Sequence, residues 1–200
     1  MKSLGFSFEE GLFVYGRRED GYLDLGLAVQ KDAGAERYMI HASIIFRNPL
    51  LENPRWELLV DGNVRSAGIF LHGGPSSWWP TVGLPDAMEA LKRYAIDWHR
   101  RVGKASYLAE VAETAIREKE QLLEIIEPME KADTSLPWAP DTPRRVGSRH
   151  FYHASVVHYF NGDRERAVQR TRDWLAAIPA HHAAERTKAH AQLNALTRSN

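Results

Sequence analysis

Cysteine is absent from the 200-residue chain, which excludes disulfides, thiolate metal sites and cysteine nucleophiles together. Net charge is absent too: 26 Lys and Arg balance 26 Asp and Glu. No global field therefore draws the protein toward nucleic acid or an anionic membrane. Long apolar runs are missing, and nothing approaches the ~18 uncharged residues that span a bilayer. The opening MKSLGFSFEEGLF lacks the apolar stretch and small-residue cleavage site of a signal peptide, so the expectation is a cytoplasmic protein. Internal repeats, low-complexity tracts and the motifs G-x-S-x-G, G-x-G-x-x-G, G-x-x-x-x-G-K-[ST] and H-E-x-x-H are all lacking, which leaves no catalytic or phosphate-gripping signature.

What is present reads as an α+β chain. Alternating apolar and polar residues predict strands at 11–18, 22–30, 37–48, 55–60 and 65–72, joined by turn-length connections. Short connections imply an antiparallel meander, because parallel neighbours need long crossovers. In 22–30, Leu23, Leu25, Leu27 and Val29 share one face; in 37–48, Tyr38, Ile40, Ala42, Ile44 and Phe46 do. From residue 84 the period changes to that of a helix carrying Leu84, Met88, Leu91, Ala95, Trp98 and Val102 in one stripe. A second helix begins near Ala105, with Leu108, Val111, Ala112, Ala115 and Ile116 inward, and Pro128 is expected to kink or end it. The Pro-rich segment 134–147 reads as a linker between an α+β domain (1–133) and a helical segment (148–200). That segment divides into helices at 148–160, 163–178 and 180–197, with Ser148 and Asp163 as N-caps.

Charge is unevenly placed. Residues 101–133 hold 5 Lys and Arg against 8 Asp and Glu, whereas 134–200 hold 10 against 5. Arg164, Arg166, Arg170 and Arg172 make one side of a helix basic, suited either to an acidic partner or to solvent, where Glu165 and Asp173 alternate with them. That helix and the one before it look like a tetratricopeptide-type hairpin, with small Ala167 and bulky Trp174 suited to antiparallel packing. One such hairpin makes no solenoid groove; covering neighbouring elements is its expected role.

Nine histidines invite a metal reading, but His150/His153 and His153/His158 are spaced i, i+3 and i, i+5 with no third ligand at a matching interval. No metal, cofactor or catalytic residue is assigned. The densest feature is HGGPSSWWP, residues 72–80. It reads as the joint between the last strand and the first long helix, where glycines and prolines redirect the chain. Adjacent Trp78 and Trp79 must point to opposite sides if the segment is extended. Either both are covered, or one is exposed as a binding anchor.

The order LGFSFEEGLFVYGR, GYLDLGLAVQKD, IFLHGGPSSWWPTV and ALKRYAIDWHRRVGKASYLAEVAE, over residues 4 to about 115, resembles a family of uncharacterised bacterial proteins catalogued as a domain of unknown function. The resemblance implies a curved antiparallel sheet with helices and a tryptophan pair before the first long helix. Some members are suspected, from gene neighbourhood, of being immunity proteins in toxin systems. It implies no catalytic residues. Two functional expectations follow. One is a non-enzymatic module that binds a protein partner, with no role for nucleic acid or membrane. The other is a small-ligand binder or enzyme whose pocket lies on the sheet face near His41, Ser43 and His72, beside Trp78 and Trp79. Metal analysis of protein purified without a His-tag is expected to find no stoichiometric zinc or iron.

Overall fold

The computed structural model describes residues 5–15, 23–31, 37–61, 78–80, 96, 99–100, 103–132 and 147–198. The chain divides into two compact units: Met1–Pro49 with Asn53–Ala105, and Leu50–Glu52 with Ser106–Asn200. The expected linker at 134–147 lies outside the described residues, Gly147 excepted.

The first unit is an antiparallel sheet. Its strands are β1 (Ser7–Glu9), β2 (Leu12–Tyr15), β3 (Asp24–Lys31), β4 (Arg37–Arg47), β5 (Trp56–Asp61) and β6 (Trp78–Pro80). The order is β1-β2-β3-β4-β5, a meander, with β6 also on β4. The fold is α+β, as the alternation implies. β3 lies along one side of β4. The other side is shared end to end by β5, opposite residues 43–47, and β6, opposite 37–39. The expected strand at 65–72 lies outside the described residues.

Two local features bend this sheet. β1 and β2 are joined by Glu10 and Gly11, both at positive φ (50° and 86°). Such a pair is the two-residue turn whose twist matches that of the strands. In β5, Leu59 is the extra residue of a bulge opposite Ile44 and Ile45, and bulges add twist and curvature. The result is a half-barrel. A flat sheet would hold β1 and β4 three strand spacings apart, ~14 Å. Here the β1–β2 turn reaches the end of β4 instead: Arg47 donates to Glu9 (3.1 Å) and Glu10 (3.4 Å). The same guanidinium lies 4.4 Å above the Trp56 ring, and Trp56 Nε1 donates to Glu9 at 3.2 Å.

Both faces of the sheet carry buried residues. Leu23, Leu25, Ile44 and Phe46 form one apolar row, as the alternation implies, while Val14 and Ile45 fill the other side. Ile45 lies over Gly26, where an added Cβ would come within 2.8 Å of its methyl groups. Ile96, His99 and Arg100 are helical, and buried His99 donates a ring N–H to the Leu23 carbonyl. Tyr15 meets the same ring edge-on at 6.4 Å.

The second unit is helical: α1 (Ala105–Ala132), α2 (Ser148–Phe160), α3 (Arg164–Ala177) and α4 (Ala183–Arg198). α1 continues past Pro128 to Ala132, so the proline does not end it. Leu108 and Ile116 are buried, as the spacing implies, but Val111 and Ala115 are exposed. The inward face of α1 is the stripe Leu108–Ala112–Ile116, and Phe151 and Ala154 of α2 pack against Ile116. Ala167 is fully buried and Trp174 nearly so, with its ring 4.5 Å from that of Tyr152. The α2–α3 hairpin therefore packs closely, as its small and large residues imply.

Gly26→Ala is expected to destabilise the sheet unit by about 1–3 kcal/mol through overpacking. Ile45→Val in the same chain should recover part of the loss in urea titration. Equal stability of Gly26→Ala and wild type would contradict the close approach.

Candidate functional site

The residues singled out from sequence fall in the sheet unit. His41 and Ser43 are on β4; Trp78 and Trp79 are on β6, opposite Met39 and Tyr38. Trp78 and Trp79 therefore belong to a short strand, which refines the reading of this stretch as a joint; residues 72–77 lie outside the described residues. Aromatic residues favour extended backbone, and the residue before a proline is held there as well. In register, Trp78 stands opposite Met39, which alternates along β4 with His41 and Ser43 on one side. Ser43 is half-buried, in a row with Val14, Gly26 and Asp61. His72 and the side chains of His41, Trp78 and Trp79 lie outside the described part of the structure.

The densest polar chemistry among the described residues is in the helical unit. Ser155 (α2), Thr171 (α3) and Gln192 (α4) are completely buried and bonded to one another. The Gln192 amide donates to Ser155 Oγ at 2.7 Å and Thr171 Oγ1 at 3.2 Å. The two hydroxyls are 2.6 Å apart, and each also lies within 2.9 Å of the Ala167 carbonyl. With one proton apiece, one hydroxyl donates to that carbonyl and the other donates to the first hydroxyl.

A second cluster is ionic. Glu113 of α1 accepts from Arg170 Nε at 2.8 Å and from His158 Nε2 at 2.8 Å. Arg170 also pairs with Asp173 at 2.9 Å. Of the four arginines read as one basic side, Arg170 is thus turned toward Glu113. Burial alone would raise the Glu113 carboxyl, but the Arg170 and His158 hydrogen bonds and charges outweigh it and hold it below its ordinary value. A third cluster replaces an expected cap. Ser148 is the first residue of α2, after Gly147, and makes no side-chain cap. Its hydroxyl donates to Glu185 (2.8 Å), which also accepts from Trp174 Nε1 (3.0 Å). Asp163 does cap α3, accepting from the Arg166 amide at 3.1 Å.

Two histidines are held neutral. Burial, then the charges of Arg149, His150 and Lys188, pushes His153 down to about 4. Burial likewise lowers His99, against the opposing effect of its bond to Leu23. Neither residue was distinguishable in sequence: His153 looks like a surface helical position, and the partner of His99 is 76 residues away.

An open groove of about 890 Å³ runs along the start of α3 beside the last turn of α4. Arg164, Arg166, Gln169 and Arg172 form its rim and Val168 and Leu196 its apolar floor. Among the described residues, no three His, Asp or Glu side chains are grouped as a metal ion requires.

His99, His153 and Glu113 all bind protons more weakly in the folded chain than in the unfolded one. Stability is therefore full above pH ~7. It falls from pH ~6.5 downward as the unfolded histidines protonate first, and further below ~4.5 as Glu113 does. At pH 5, His153 alone accounts for proton uptake of about 0.9 on unfolding, so His153→Gln should reduce the measured uptake by that amount. An unchanged pH profile in this variant would contradict a buried neutral imidazole. Comparison of the chain with family models, curated proteins and solved structures found no match.

Proposed function

We propose that this chain is a non-enzymatic module that binds a protein partner. The observation that carries the reading is the exposure of Tyr107 (48%) and Val111 (42%) on successive turns of α1. Residues four apart on a helix form one stripe, and paired exposed apolar side chains on an ordered helix are the kind of anchor that protein interfaces use. Phe8, 64% exposed on the edge strand β1 with its ring tilted against that of Phe13 at 5.0 Å, is a second apolar position open to a partner. The buried hydroxyls and the carboxylates of Glu113 and Glu185 are engaged within the fold, which supports structural rather than reactive roles for them. Some members of the family that the chain resembles are suspected immunity proteins, a role that would make the partner a toxin encoded nearby.

Affinity capture from the source cells should recover one partner in stoichiometric amount with the wild-type chain. The yield should fall at least tenfold with Val111→Glu combined with Tyr107→Ala, while the circular dichroism of the protein is unchanged. Recovery of chaperones alone, or of the same proteins at equal yield with the variant, would overturn the reading.

A further inference from the structure

We propose that the groove between α3 and α4 is the seat for an acidic segment of the partner, with carboxylates at alternate positions around an apolar side chain. This inference rests on the protein-binding reading and names the chemistry of one contact within it.

Arg164, Val168 and Arg172 are spaced four residues apart on α3, and all three line the groove. At 1.5 Å per residue, each step along the helix is ~6 Å. An extended chain repeats its side chains on one face every two residues, ~6.6 Å. The two spacings match, so an extended segment laid along α3 can present acidic, apolar and acidic residues to Arg164, Val168 and Arg172 in turn. The floor suits the central residue: Val168 is half-buried and Leu196 is buried.

The charges divide according to what they already bind. Arg172 is exposed and has no hydrogen bond or ion pair among the described residues. Arg164 donates Nε to the Leu196 carbonyl at 2.7 Å and one terminal nitrogen to the same oxygen, leaving the other terminal nitrogen for a ligand. Arg166, 66% exposed, is 3.4 Å from Asp163, an exposed pair of the kind that contributes little and exchanges readily. Asp163 spends one carboxylate oxygen on the cap of α3. The exposed Glu165 gives the rim a negative point at the start of the helix, which opposes a continuous run of carboxylates and favours the alternating pattern. Guanidinium groups bind carboxylates with two-pronged geometry that a lysine lacks.

The test uses the full chain and a fluorescein-labelled peptide repeating Glu-Ser-Leu-Ser-Glu, followed by fluorescence anisotropy. Saturable binding that weakens at least tenfold with Arg172→Glu and with Arg172→Gln is expected, as is loss of binding when the peptide glutamates become glutamine. Arg117→Glu, a charge reversal on α1, should leave binding unchanged, and all three variants should melt at the wild-type temperature. Absence of binding, indifference to Arg172, or equal affinity for a single-stranded DNA of the same charge would overturn the proposal. Loss of peptide binding alongside intact, Tyr107-dependent capture of a partner would remove the groove assignment and leave the protein-binding reading in place.

Discussion

The hydrogen bonds among Ser155, Thr171 and Gln192 set the helical unit. One polar side chain from each of α2, α3 and α4 meets the other two where no water reaches. Buried polar groups left unpaired cost about 1–3 kcal/mol each, so rotation or sliding of any one helix by a residue is penalised several times over. An apolar core of alanine, valine and leucine would tolerate such slips. The network therefore fixes register, and register places Arg164, Val168 and Arg172 beside Leu196. Glu185, accepting from Ser148 and Trp174, and Glu113, accepting from Arg170 and His158, add links of the same kind at the periphery.

The sheet unit reaches order by another route. Its central strands β3 and β4 run to 8 and 11 residues, but the edge strand β1 has three, too few to hold an edge by pairing alone. The Glu10–Gly11 turn, the bulge at Leu59 and the placing of Glu9 and Glu10 on Arg47 and Trp56 curl the meander into a half-barrel. Ile45 and Val14 are buried on the face opposite the Leu25–Ile44 row, with Ile45 packed over Gly26. The same curvature leaves Ser43 half-buried in the row that also holds Gly26.

Much of this was legible in the sequence, because burial imposes a period on strands and helices. Leu23, Leu25, Ile44 and Phe46 lie inside as their alternation implies, and the helices near 148–160, 163–178 and 180–197 begin and end within about three residues of the expected places. The failures share one cause: a local pattern cannot report a distant partner. The stripes Leu108–Ala112–Ile116 and Tyr107–Val111–Ala115 are adjacent and both apolar, so periodicity alone does not choose between them. Ser148 has the chemistry of a cap, but its hydroxyl goes to Glu185, 37 residues on. Gln192, Thr171 and Ser155 carry no signal in their local sequence, because three helices must come together before they meet. Trp78 and Trp79 were noticed for their composition, while their strand character depends on pairing with β4, about forty residues earlier.

The proposed role of this fold is recognition of a protein through the exposed faces of its helical unit. Placing a photo-crosslinking amino acid at position 107 in the source cells tests it most directly, with a second chain carrying the same group at exposed position 181 as control. The account predicts one discrete adduct from position 107, containing a single other protein, and none from position 181. No adduct from position 107, or the same diffuse set of proteins from both positions, would contradict it.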